Sequence, residues 1–175
     1  MDKKDVSAKE EEISVVKTSS GCRIRVDSDS LSVVAAHPWC ISANGYAVSR
    51  VLGRVVYMHR LLLGPDCAGL DVDHINGDKT DNRRVNLRAC TRQDNLRNSR
   101  PRNAKLYSKY KGVSKSRRDG CWVAQIWHDA KNVYLGRFAS EADAAVAYDT
   151  AAIRLFGEFA RVNGRVACPT LATRS

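Results

Sequence analysis

The chain has 175 residues, 43% of them hydrophobic and 27% charged, with a formal net charge of +10 and an isoelectric point near 9.6. That length supports two small domains, each near the lower limit for a self-sufficient core, and no apolar run approaches a membrane span. Six cysteines without a Cys-x-x-Cys pair, and no signal peptide ahead of them, argue against a disulfide framework or a zinc cluster and for reduced thiols in a cytoplasmic protein.

Residues 1–12 are charged and read as a disordered tail. The next segment, 13–99, forms the first domain, and its informative stretch runs from Asp71 to Asn98. Leu70 to His74 reads as a short strand, Asn76-Gly77-Asp78 and Asp81-Asn82 as turn chemistry, and Val85 to Arg88 as a second strand. Thr91 with Asp94 three residues on is a capping box, which puts Asn95 in the first turns of a helix. Strand, loop, strand and helix at this spacing make a ββα-metal unit.

Hydrolysis of a phosphodiester needs an activated water, a cation against the phosphate and leaving oxygen, and a fixed geometry between them. His74 suits the general base because imidazole titrates near neutrality. Asp73 and Asn95 offer hard oxygen atoms to a divalent cation, and a small oxygen set favours Mg²⁺ or Mn²⁺ over Zn²⁺. Asn86 is expected to bond the second imidazole nitrogen and fix the ring's direction. His59 lies in the apolar run Val55 to Leu63 and reads equally as a contact to a phosphate or the site's edge and as a packing residue.

These motifs resemble the HNH endonucleases, in particular the homing type of phages and introns whose third motif position is Asn. Trp39 to Ser42, Gly45 to Ala47 and Met58 to Leu62 look like that family's strands preceding the site, and the likeness covers roughly residues 20 to 98. It implies His74 as base, Asp73 and Asn95 as ligands of one divalent cation, Asn86 as the orienting residue, and 5′-phosphate with 3′-hydroxyl products. Arg60, next to His59, is assigned to DNA contact.

From Arg100 to Arg118 there are eight Lys or Arg and no acid, with 100–109 as the basic linker. Beside a phosphodiesterase-like site the matching polyanion is double-stranded DNA; a membrane surface is a poorer match because no apolar stripe accompanies the charges. Beyond the linker, Lys111 to Arg118, Cys121 to His128 and Lys131 to Ala139 alternate as three strands joined at Asp119-Gly120 and Asp129-Ala130. Ser140, with Asp143, caps a helix that Gly157 ends, and Ala145, Tyr148, Ala152 and Leu155 form its apolar stripe. The fold class expected is therefore α+β: a ββα-metal module, then a three-stranded antiparallel sheet packed on one helix.

Tyr110 to Val113, Trp122 to Ile126, Tyr134 to Phe138 and Glu141 to Tyr148 resemble the ethylene-response-factor (APETALA-type) DNA-binding domain, which implies a domain over 110–163 whose sheet enters the major groove. The residues so assigned to DNA are Lys111, Ser114, Ser116, Arg118, Gln125, Trp127, Tyr134 and Arg137. Ser114 and Trp127 depart from the arginines common in plant members, so the plant site preference does not carry over. Residues 164–175 read as a flexible tail.

The expected function is a metal-dependent DNA endonuclease of homing or nicking type, working in the cytoplasm of a bacterial or phage-infected cell as a monomer or weak dimer without an obligate protein partner. A DNA-binding regulator with an inactive nuclease fold and an enzyme acting on structured RNA are the competing classes. The intact Asp73, His74, Asn86 and Asn95 set argues against the first, and the absence of an aromatic single-strand platform against the second.

Overall fold

The computed structural model describes residues 12–99 and 108–164, which fall into two compact units divided between Thr91 and Arg92. The expected tails, Cys168 and most of the expected linker, with Arg100, Arg102 and Lys105, lie outside the described residues.

In the first unit β1 (Ile13–Lys17) pairs antiparallel with β2 (Arg23–Asp27), followed by α1 (Leu31–Ala35). A three-stranded antiparallel sheet comes next, with β4 (Ala47–Val51) between β3 (Cys40–Ile41) and β5 (Arg54–Tyr57). Then α2 (Met58–Leu63) leads to the hairpin of β6 (Asp71–His74) and β7 (Leu87–Cys90). Ile24 and Val26 of β2, Val34, Trp39, Ala47, Met58, Leu62, Val72 and Leu87 make one core. The Trp39 indole N–H, which would be costly to bury unpaired, donates to the Val34 carbonyl at 2.7 Å.

Three elements differ from the sequence reading. The strand expected over Lys111 to Arg118 covers only Val113–Lys115. Met58 to Leu62, expected as a strand, is the helix α2, because Met58 and Leu62 are one helical turn apart and both enter the core. The second strand of the hairpin starts at Leu87 instead of Val85. Residues Arg84–Asn86 form a single 3₁₀ turn, with the Arg84 amide donating to Asp27 Oδ2 at 2.8 Å and the buried Asn86 side chain bound back into the preceding loop.

The second unit begins with α3 (Arg92–Arg97). Its sheet has β9 (Trp122–His128) between β8 (Val113–Lys115) and β10 (Lys131–Phe138), all antiparallel, and α4 (Glu141–Phe156) covers one face. Ser140 accepts the Asp143 amide at 3.1 Å, the cap expected from the sequence, and Gly157 ends the helix. Ala145, Tyr148 and Ala152 are buried and Leu155 partly so, against Ile126, Ala124 and Val113. The small alanines let the helix lie close to the sheet. Gly112 is tighter still: at φ +73° a Cβ there would stand 2.0 Å from the Tyr148 ring and 2.7 Å from the Gln125 carbonyl oxygen.

Candidate active site

In the first unit the site is built around the end of β6. The register pairs Asp73 with Arg88 and His74 with Leu87. Directly opposite residues on an antiparallel pair share a face, so Arg88 reaches across to donate Nη2 and Nε to Asp73 Oδ2 at 2.7 and 3.0 Å. Leu87 meanwhile enters the core. Both Asp73 and His74 are buried.

His74 has a partner that the sequence did not single out. Asn82 is completely buried, and its Oδ1 stands 3.4 Å from His74 Nε2 while its Nδ2 donates to the Lys79 carbonyl at 3.3 Å. The bond to Lys79 fixes which way the amide points, so an oxygen faces the imidazole. Nε2 then carries the ring proton and Nδ1 the lone pair. Backbone pairing holds Asn82 in place: its N–H donates to the Arg25 carbonyl at 2.8 Å, and the Arg25 N–H donates to Thr80 at 2.9 Å. The loop after β6 is thereby laced to β2.

Asn86 was expected to bond the imidazole, and here the structure differs. Its Oδ1 accepts the Asn76 amide at 3.0 Å and its Nδ2 donates to the Asp81 carbonyl at 2.8 Å. Both bonds close the loop that carries Asn82, so Asn86 acts on the site's framework and Asn82 takes the place beside His74. Asp81 completes the frame through a paired contact with Arg83, Nε to Oδ1 and Nη2 to Oδ2, each 2.7 Å. Burial pushes the Asp81 carboxyl up, but the Arg83 hydrogen bonds and charge outweigh it and hold it below the ordinary value.

A cluster of rings surrounds the imidazole. His59 on α2 sits with its ring centroid 5.3 Å from that of His74, edge to face, and Tyr46 lies 6.0 Å from His74 and 5.2 Å from His59. Tyr57, at the end of β5, is 5.4 Å from His59. The Lys79 ammonium rests 4.1 Å above the Tyr46 ring and donates to the Asn44 carbonyl. Burial, with smaller contributions from the His74, Arg60 and Lys79 charges, lowers His59 to about 4, and its Nδ1 is buried without a hydrogen-bond partner. His74 is also lowered, first by burial, against which the Asn82 bond and the Asp73 carboxylate pull upward. A proton acceptor requires the neutral ring, and burial favours that form at both histidines. His59 belongs to this cluster, at the edge of the site and packed among its rings.

Arg60, assigned to DNA, donates to the Leu70 and Cys67 carbonyls at 3.0 and 3.2 Å and so staples the turn between α2 and β6. Asn95 lies on α3 in the second unit and is half-buried. Among the described residues no three His, Cys, Asp or Glu side chains gather as a metal cluster. The donor that the first unit offers, the Asp73 carboxylate, suits a hard divalent cation such as Mg²⁺ or Mn²⁺: such cations take one or two protein oxygens and fill the rest of their shell with water and substrate phosphate.

The sheet of the second unit has one face against α4 and one away from it. The register places Gln125 opposite Tyr134, Trp127 opposite Asn132, and Val123 opposite both Ser114 and Arg137, all on the outer face. Trp127 and Tyr134 are 67% and 60% exposed, unusual for rings with an apolar body, whereas Trp122 and Phe138 pack against the helix side. Asn132, which the sequence reading passed over, donates to Gln125 Oε1 at 2.9 Å. Arg137 pairs with Asp119, and Ser116 and Arg118 lie beyond the end of β8, half-buried and exposed respectively. Lys111 is off this face: its ammonium donates to the carbonyls of Arg97 and Ser99, and burial lowers it to about 8.

The family model described as HNH endonuclease matches residues 56–97, the stretch that holds His59, Asp73, His74, Asn82, Asn86 and Asn95. An uncharacterised HNH endonuclease of Acanthamoeba polyphaga mimivirus is 32% identical over 147 residues, spanning 79% of this chain and 73% of the viral protein. Two plant proteins are similar over 56 residues, 32% of this chain: an APETALA2-like protein of Oryza sativa subsp. indica at 48% identity, and an AP2-like ethylene-responsive transcription factor of Arabidopsis thaliana at 46%. The chain spans only 13% and 12% of those two proteins.

Proposed function

The chain belongs to the HNH endonuclease family, and from that premise we propose that it is a divalent-cation-dependent DNA endonuclease with His74 as its general base. The observation that carries this reading is the buried His74, with Asn82 on its Nε2 and Asp73 next to it on β6.

The His74 imidazole takes the proton of the attacking water, and Asn82 steadies the imidazolium ring's direction as the charge forms. Asp73 would hold the cation, and Asn86 keeps the Asn76 to Asp81 loop closed around Asn82. A cation so held supplies positive charge to the scissile phosphate and the leaving oxygen. Arg88 shares Asp73 Oδ2, which fixes the carboxylate's orientation and tempers its negative charge. Products with 5′-phosphate and 3′-hydroxyl ends accord with the family resemblance.

The second unit is the DNA-docking module in this reading. Trp127, Tyr134, Gln125 and Ser114 share the exposed sheet face, and Arg118 and the basic run add phosphate contacts that position the duplex. Docking raises the local concentration of DNA at His74. A homing or nicking role, with one site per chain, follows from the same resemblance.

The test is supercoiled plasmid incubated with the protein and Mg²⁺, Mn²⁺ or EDTA. Nicked or linear DNA with either cation and none with EDTA is expected. Binding without cleavage under every cation would point instead to a DNA-binding regulator on an inactive nuclease fold.

A further inference from the structure

The turn between β4 and β5 puts a leucine where local chemistry disfavours one. Leu52 and Gly53 both have positive φ, +49° and +76°, the two-residue hairpin turn that Asn-Gly or Asp-Gly fills with least strain. Leu52 is also 98% exposed, the most exposed large apolar side chain among the described residues. A bulky residue on left-handed backbone, held wholly in water, gains nothing from the fold around it.

Its neighbours say what covers it. Arg50 and Arg54 flank the tip, both exposed, and the register, Arg50 opposite Val55 and Val51 opposite Arg54, sends the two guanidiniums to opposite faces of the hairpin. From residue 31 to residue 65 there are three arginines and no acidic residue. One face of the hairpin runs from Arg50 and Val55 to Val48 and Tyr57, and Tyr57 touches His59, which touches His74. At about 3.3 Å per residue the tip stands about 13 Å along the strand from Tyr57, roughly four base pairs of duplex.

Resting on the endonuclease reading, we infer that the β4–β5 hairpin is a DNA-contacting arm: Leu52 wedges at a base step about four base pairs from the scissile phosphate, with Arg50 and Arg54 on the phosphates to either side. Apolar wedges flanked by basic residues unstack and untwist DNA in this way, and the partial unstacking would hold the duplex for cleavage.

The experiment seals nicked plasmid with DNA ligase in the presence of full-length His74→Ala protein, with DNA binding measured in parallel by filter retention. Bound protein should lower the linking number of the closed circles in proportion to occupancy. Adding Leu52→Asn should abolish most of that change and weaken binding several-fold; because Asn suits left-handed backbone, its melting temperature should equal or exceed the parent's. Arg50→Ser with Arg54→Ser should flatten the salt dependence of binding by about two phosphate contacts. An unchanged linking number with the parent bound, or the same shift with Leu52→Asn, would overturn the inference while leaving the endonuclease reading intact. Failure of the parent to bind DNA at all would refute both.

Discussion

Replacing His59 with phenylalanine should flatten the acid limb of this protein's stability. In the fold His59 is 6% exposed and titrates at about 4; in the unfolded chain it titrates near 6.5. Between those values the unfolded state binds a proton that the native state refuses, so stability rises with pH and is lost as pH falls. The slope is about 1.4 kcal/mol per pH unit, or about 3.4 kcal/mol across the whole window, a large share of a small domain's total. Phenylalanine retains a ring against Tyr46, Tyr57 and His74 and removes both the titration and the unpartnered Nδ1. Urea unfolding followed at several pH values from 6.5 to 4.5 would show the wild type losing about one proton's worth of slope more than His59→Phe. Carboxylates are common to both proteins and cancel in the difference; the smaller effect of the His74 charge on His59 is part of what the difference reads. Parallel pH dependences would refute the claim that His59 is held neutral by burial.

Other expectations concern particular contacts. Gly112→Ala should destabilise the second unit by about 3 kcal/mol, from overpacking on Tyr148 and from a left-handed φ; a denaturation midpoint within error of wild type would contradict the close approach. Asn82→Asp should raise His74 by placing a carboxylate at the imidazole, moving the acidic limb of cleavage to higher pH, and a pH profile that does not move would remove Asn82 from contact with the base. Arg117→Ser with Arg118→Ser should reduce the slope of log affinity against log salt by up to about 1.8 if both meet phosphates; an unchanged slope would make them a solvated turn.

Much of the site could be read in the sequence because its signals are local. Asn-Gly and Asp-Asn turns bracket β6 and β7, and Ser140, Asp143 and Gly157 mark both ends of α4. Alternation alone placed Trp127 and Tyr134 on the outer face, as the register has them. What escaped is non-local or locally ambiguous. Met58 to Leu63 is a short apolar run that strand and helix periods fit equally, and only core packing selects the helix. Asn82 looked like one turn residue among several; its task depends on β2, more than fifty residues upstream, clamping the loop from Arg25. Asn86 reads as the imidazole's partner from its side-chain chemistry and from the family resemblance, but the 3₁₀ turn aims its amide at Asn76 and Asp81 instead. Lys111 likewise reads as a DNA contact until the end of α3 is seen to occupy its ammonium.

The central claim, that His74 is the base, is tested most directly by single-turnover cleavage of supercoiled plasmid at saturating protein and Mg²⁺, wild type beside His74→Ala, with DNA affinity measured for both. A rate lower by about 10² to 10⁴ in the variant, at nearly unchanged affinity, is the result this account predicts. Cleavage by His74→Ala at the wild-type rate would contradict it.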